Sequence, residues 1–126
     1  MKRILVLFVM LSIFFAGTSL AQTTGEKNAA SDYKIVLILP GPINDQSWNA
    51  TNYAGLVACN NDLGTKMEYI ENVQSGDFES TFRNYAERGY DLIMAAGTQF
   101  DEAANKVAPS YPESTFCVAV SYTHLT

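Results

Sequence analysis

The chain has the length of a single domain and an acidic composition. It contains 126 residues, of which 48% are hydrophobic, and it carries a formal net charge of −5 at pH 7. This length and apolar content allow one small domain with a hydrophobic core. Nucleic-acid binding needs clustered Lys and Arg side chains to contact phosphates, so the acidic balance argues against a nucleic-acid partner.

Residues 1–21 have the pattern of a secretory signal peptide. Lys2 and Arg3 precede an apolar segment, Ile4 to Ala16, and Ser19-Leu20-Ala21 follows as a small-x-Ala cleavage site. The apolar segment is shorter than the roughly 20 residues that a membrane span needs, and an uncleaved anchor is the alternative. Because Gln22 and not Cys follows the cleavage site, we expect no lipid attachment and a periplasmic or secreted protein.

Residues 22–32 are small and polar, which predicts a flexible leader, and residues 33–120 then alternate between strand-like and helix-like segments. The predicted strands are Ile35–Leu39, Met67–Ile70, Asp91–Ala96 and Ser114–Val120. The predicted helices are Gln46–Leu63, a segment from Phe78 to a stop at Gly89, and Phe100–Ala108 before Pro109. Strands that alternate with helices predict an α/β fold, a doubly wound parallel sheet with helices on both faces.

Two features of these elements predict what is buried. One face of the first helix is expected to carry its core residues, namely Ala50, Tyr53, Ala54, Val57 and Ala58. Cys59 lies in that helix and Cys117 in a strand that we expect to be interior. We predict that both are buried, unpaired thiols, with a disulfide as the alternative in an exported protein.

The loop after the first strand predicts a ligand site. In open α/β sheets, ligands bind at the carboxyl ends of the strands. Here Asn44, Asp45, Trp48 and Asn49 would supply amides, a carboxylate and an indole ring, which suit a flat polar ring such as a nucleobase or a sugar. Structural roles compete with this interpretation: Trp48 can anchor the helix in the core, Asp45 can cap it, and Asn44 can stabilise a turn.

A second segment follows the third strand and consists of Gly97, Thr98, Gln99 and Phe100. With the strands in the order 2-1-3-4, the crevice lies between strands one and three. This segment should therefore face the loop that contains Asn44 and Asn49. Phe100 can line the pocket or pack beneath the helix.

These segments resemble a known family. Asn44 to Asn49 is similar to the D-x-S-F-N signature of the basic membrane protein family, and Gly89 to Ile93 and Gly97 to Phe100 are also similar to it. The resemblance runs from about Tyr33 to Val120 and implies a partial N-terminal lobe of a type I periplasmic-binding-protein fold. Members are solute-binding proteins of ABC importers, and characterised members bind purine nucleosides.

The resemblance therefore implies a nucleoside-like ligand, a membrane permease as partner, and no cofactor or metal. Two departures stand out: Trp48 lies where the family usually has Phe, and Leu39-Pro40 lie where many relatives carry Asp. A sugar-binding protein of the same fold is one alternative. A small α/β enzyme fragment is another, although the nucleophile-elbow, dinucleotide and phosphate-loop motifs are absent from the sequence.

The last six residues, 121–126, fit none of these patterns. We expect them to be a non-native tail on a truncated chain, so His124 receives no functional role. A short natural homologue is the alternative interpretation.

Overall fold

The computed structural model of the protein describes Lys27 and residues 29–120. The predicted signal peptide, most of the leader and the predicted tail lie outside the described residues. The strands are β1 (Ile35–Ile38), β2 (Glu68–Ile70), β3 (Leu92–Ala96) and β4 (Thr115–Ala119). The helices are α1 (Trp48–Leu63), α2 (Phe78–Glu87) and α3 (Asp101–Val107).

The four strands form one parallel sheet in the order β2-β1-β3-β4. In register, Ile38 lies between Ile70 on one side and Ala95 on the other. The apolar run of β1 is therefore central, and Val36 and Ile38 have no exposed surface. The predicted parallel sheet, with its first strand inside, is confirmed.

The larger core lies on the face that α2 and α3 cover. Phe82 and Phe100 are both 0% exposed and meet edge to face, with ring centroids 6.1 Å apart. Ile93 and Ala95 of β3 contribute the sheet side of the same cluster. The apolar residues of α2 recur at helical spacing, so its whole inner stripe is buried.

The opposite face carries α1 and a smaller cluster, formed by Leu37, Leu39, Leu56 and Ala96. Helices therefore lie on both faces of the sheet, as the sequence predicts. None of the helices in the described part of the chain is long and apolar enough to cross a membrane.

The predicted buried face of α1 is only partly right: Ala50 and Tyr53 are half-buried, and Tyr53 packs against the smaller cluster. Ala54, Val57 and Ala58 are exposed, whereas Asn49 and Leu56 are the buried residues of the helix. The physical reason is that α1 carries small apolar residues on more than one face. The spacing of these residues therefore does not indicate which face of the helix is buried. Polar contacts determine which face packs on the sheet. The Asn60 side chain bonds to both the N–H and the C=O of Met67, at 2.8 and 3.1 Å, and these bonds turn the face of α1 that carries Asn60 toward the sheet.

Neither cysteine is fully buried, which corrects the prediction. Both are free thiols, but Cys59 is half-buried and Cys117 is exposed. β4 is an edge strand, and Cys117 shares its sheet face with its register partner Met94, on the side of α1. On the same face, a cavity of about 500 Å³ lies between Trp48 and Leu56 of α1 and Met94 of β3.

Replacing Phe82 by Ala tests the main core. Phe82 has no exposed surface and contacts two other rings, so Phe82→Ala is expected to lower the free energy of unfolding by about 3–5 kcal/mol. Val57→Ala, at a side chain that is 38% exposed, should change it by no more than about 0.5 kcal/mol. Urea denaturation measures both, and equal losses would contradict this assignment of the core.

Candidate functional site

The carboxyl ends of all four strands lie at one edge of the sheet because the strands are parallel. We call residues 41–47, between β1 and α1, the first loop, and residues 97–100, after β3, the second loop. The residues next to the two loops are joined: the indole Nε1 of Trp48, at the start of α1, donates a hydrogen bond to the C=O of Ala96, at the end of β3, at 3.1 Å. The structure thus brings the two predicted segments together.

Asp45 closes the first loop onto α1. Its carboxylate accepts four hydrogen bonds, from the backbone N–H groups of Ser47, Asn49 and Ala50 at 2.9–3.0 Å and from the Asn49 side-chain amide at 2.7 Å. A carboxylate has about four lone-pair sites, so this set occupies its acceptor capacity. The hydrogen bond from Ala50, followed by that from Ser47, lowers the Asp45 pKa to about 2. Of the two roles open to Asp45, the geometry supports that of a helix cap.

Asp45 also explains why α1 begins later than the predicted Gln46. Gln46 has a φ of +56°, in the left-handed region, and Ser47 has an extended φ of −142°. The backbone therefore turns at these two residues to present its N–H groups to the carboxylate. Helical geometry begins only at Trp48.

Asn49 lies beneath the first loop and not on its outer surface. It is 8% exposed, its amide nitrogen donates to Asp45, and its oxygen accepts from the N–H of Gly41 at 3.4 Å. A Cβ atom on Gly41 would lie 2.6 Å from the Asn49 amide nitrogen. The strand exit therefore needs glycine so that Asn49 can reach back beneath it.

Trp48 is half-buried against the smaller core cluster. Its N–H is used internally, by Ala96, and its ring lines the cavity beside Leu56 and Met94. Trp48 thus anchors the start of α1 and retains exposed ring surface. The structure is compatible with both roles that the sequence leaves open.

Asn44 is exposed, and its side chain, like those of Gln46 and Ser47 in the same loop, has no hydrogen-bond partner within the described residues. Its neighbour Ile43 is half-buried against the smaller cluster. Ile43 also donates its backbone N–H to the carboxylate of Glu71, at 2.7 Å. Sequence reasoning missed Glu71, because nothing local signals a contact between residues 28 positions apart.

In the second loop, Thr98 and Gln99 are exposed and Phe100 is completely buried. Gly97 has a φ of +134°, and a side chain there would collide with the amide of Gln99, so Gln99 folds back over the glycine. Phe100 stacks against Phe78 with ring centroids 4.1 Å apart. In this conformation Phe100 supports the loop from the core and offers no surface to a ligand.

A cavity of about 590 Å³ lies beside the second loop, between α2 and α3. Gln99 lines it together with Ser75, Ser80, Arg83 and Glu102. Sequence reasoning missed these polar groups, because they come from separate segments that only the packing of α2 on α3 brings together. Within the described residues, no group of three or more His, Cys, Asp or Glu side chains is arranged to hold a metal ion.

Comparison with known proteins identifies a family. Residues 33–124 match the family described as PnrA-like ABC transporter substrate-binding proteins. An uncharacterised lipoprotein of Pyrococcus furiosus is 30% identical over 103 residues, and the transcriptional activator protein med of Bacillus subtilis is 26% identical over 87 residues. The alignments cover 81% and 68% of this chain but only 25% and 27% of those proteins. The chain therefore spans about a quarter of the length of these relatives.

Solved structures agree on the fold. An ABC transporter solute-binding protein from Aeropyrum pernix superposes with a TM-score of 0.64 at 25% identity, over 71% of this chain and 26% of that one. One from Conexibacter woesei gives a TM-score of 0.62 at 26% identity, over 67% and 28%. The fold is that of the periplasmic binding proteins, and the family and these neighbours are solute-binding proteins and not enzymes.

The Asp45 cap predicts a dependence of stability on pH. Its folded-state pKa, about 2, is below the ordinary value of 3.8, so the stabilisation is complete above about pH 4 and is lost as the pH falls toward 2. Asp45→Asn should remove the loss of unfolding free energy that occurs between about pH 4 and pH 2. Urea titrations from pH 6 to pH 2 measure this dependence. Asp77→Asn is the control, because Asp77 makes no side-chain cap at the start of α2. An unchanged slope in Asp45→Asn would contradict the cap.

Proposed function

We propose that this chain, which belongs to the PnrA-like ABC transporter substrate-binding proteins, captures a purine nucleoside or a related small solute outside the cytoplasm. The observation that carries the proposal is the convergence of the two loops at the carboxyl edge, held by the bond from Trp48 to Ala96. This edge is where ligands bind in open α/β sheets. A membrane permease of an ABC importer would receive the captured solute.

The residues of the site divide into two roles in this proposal. Asn44, Thr98 and Gln99 are exposed and provide hydrogen-bond donors and acceptors for a base or a ribose. The exposed part of the Trp48 ring provides a stacking surface, where the family usually has Phe. Gly97 leaves room for the Gln99 amide to fold over the backbone of the second loop, because a side chain at residue 97 would collide with it.

Asp45, Asn49 and Phe100 support these contacts from beneath. Asp45 and Asn49 fix the first loop through their mutual hydrogen bond, and Phe100 fixes the second loop in the core. They affect the ligand indirectly, because they fix the shape of the two loops that contact it. Capture of a solute needs no bond to be made or broken, so this division requires no acid, base or nucleophile.

One lobe provides one wall of a cleft. Ligand pockets bury about 70–90% of a small ligand's surface, and a single wall buries much less. We therefore expect the described lobe to bind a nucleoside weakly, with an affinity on the order of millimolar. In periplasmic binding proteins a second lobe closes over the ligand by hinge motion.

The proposal is tested by NMR titration of the ¹⁵N-labelled chain with adenosine, guanosine and inosine, in parallel with ribose, glucose and galactose. The protein has one tryptophan, so its indole N–H signal reports on the site without ambiguity. We expect purine nucleosides at millimolar concentration to shift the signals of Asn44, Trp48, Thr98 and Gln99. Shifts with the sugars alone would favour the sugar-binding alternative, and no shift with any compound would contradict the site.

Trp48→Ala should weaken nucleoside binding about 5- to 150-fold, because base–aromatic stacking contributes about 1–3 kcal/mol. Trp48→Phe keeps an aromatic face but loses part of the ring and the N–H that bonds to Ala96, so it should lose less binding than Trp48→Ala. Tyr69→Ala removes an aromatic ring of β2 that is 39% exposed and packs on Tyr53 of α1, away from the loops. Tyr69→Ala is the control and should retain binding within about threefold, and a loss in Tyr69→Ala equal to that in Trp48→Ala would contradict stacking by Trp48.

A further inference from the structure

Glu71 is the acidic side chain that connects the second strand to the ligand edge. It follows β2 directly, is half-buried, and accepts the N–H of Ile43 at 2.7 Å. Asn49 and Thr51 of the adjacent helix α1 also bond to the first loop, but among the described residues Glu71 is the only side chain from beyond α1 that does so. The donor–acceptor distance of 2.7 Å is short, and the acceptor is a carboxylate. Both features make this a strong hydrogen bond, because an ionised acceptor strengthens the bond from a backbone N–H.

The middle of the first loop has little else to fix it. Asp45 and Asn49 hold its end against α1, at distances of 3.0 Å or less. Between Gly41 and Asp45, the other hydrogen bonds of the backbone are long: Gly41 to the Asn49 side-chain oxygen at 3.4 Å, Asn72 to the C=O of Gly41 at 3.4 Å, and Asp45 to the C=O of Pro42 at 3.3 Å. The bond from Ile43 to Glu71 is therefore the short polar contact in this stretch, and it lies one residue before Asn44.

We propose that Glu71 is a positioning residue that holds the middle of the first loop so that Asn44 faces the ligand. This inference rests on the proposed function for its effect on binding, but its effect on the loop is independent of the ligand's identity. Glu71 is placed to do this by the sheet itself. β1 and β2 are paired in register up to Ile38 and Ile70, so the residues that follow the two strands leave the same edge side by side.

Three variants test the proposal. Glu71→Ala removes the acceptor, Glu71→Gln keeps an acceptor oxygen at the same reach, and Ser114→Ala removes a comparable bond elsewhere. The Ser114 hydroxyl donates to the C=O of Tyr90 at 2.7 Å, where β4 begins and far from the carboxyl edge. Each variant is measured by amide hydrogen exchange at Ile43, by adenosine titration and by urea denaturation.

We expect Glu71→Ala to lower the exchange protection of Ile43 about tenfold and to weaken adenosine binding by a similar factor, as the loss of one hydrogen bond to a charged group would. Glu71→Gln should restore most of both quantities. Ser114→Ala should lower global stability. After correction for that loss, Ile43 protection and adenosine affinity should equal those of the wild type.

The positioning role would be overturned by wild-type Ile43 protection in Glu71→Ala, by an equal loss of protection in Ser114→Ala, or by a Glu71→Gln variant as impaired as Glu71→Ala. Lost protection with unchanged adenosine affinity would also overturn it, because the loop would then move without consequence for the ligand. If the wild type itself fails to bind adenosine, the proposed function fails, and the exchange at Ile43 still decides whether Glu71 holds the loop.

Discussion

The carboxylate of Asp45 accepts four hydrogen bonds at the start of α1, and the geometry of the candidate site depends on this cap. A carboxylate at this position satisfies N–H groups that a helix leaves unpaired and lies at the positive end of the helix dipole. By fixing where α1 begins, the cap also fixes Trp48, whose indole then reaches Ala96 at the end of β3. One local motif therefore sets the distance between the two loops of the site.

The rest of the lobe makes that arrangement rigid. β1 and β3 pair along four residues, and β3 and β4 along five, so the strand ends from which the loops emerge cannot shift independently. On one face, the aromatic cluster of Phe78, Phe82 and Phe100 supports the second loop from within. On the other face, Asn49 supports the first loop through Gly41. A ligand wall that is already ordered before binding costs less conformational entropy when the ligand arrives.

The elements of the fold were predictable from sequence because each has a strong local signal. The apolar run before Pro40 and the spacing of Phe78, Phe82 and Tyr85 correspond to β1 and α2. The inner face of α1 was not predictable, because its small apolar residues occur on several sides and long-range bonds from Asn60 decide its rotation. The exposure of Cys117 likewise depends on β4 being an edge strand, which is a property of strand order and not of the strand's sequence.

The site was predictable in location but not in the roles of its residues. A loop after a buried strand marks the edge, but whether Asp45 caps a helix or contacts a ligand depends on where three backbone N–H groups point. Glu71 reaches the loop only because β2 pairs with β1. Contacts of this kind arise from the tertiary structure, so a single sequence contains no pattern that reveals them.

The central claim is that the first loop is ordered before any ligand binds. Backbone ¹⁵N relaxation of the ligand-free chain tests it most directly, through the order parameters of Ile43 to Ser47. The account predicts values of about 0.85, equal to those of β1 and α1, because Glu71 and Asp45 hold both parts of the loop. Order parameters below about 0.6 across these residues would show a flexible loop and contradict the account.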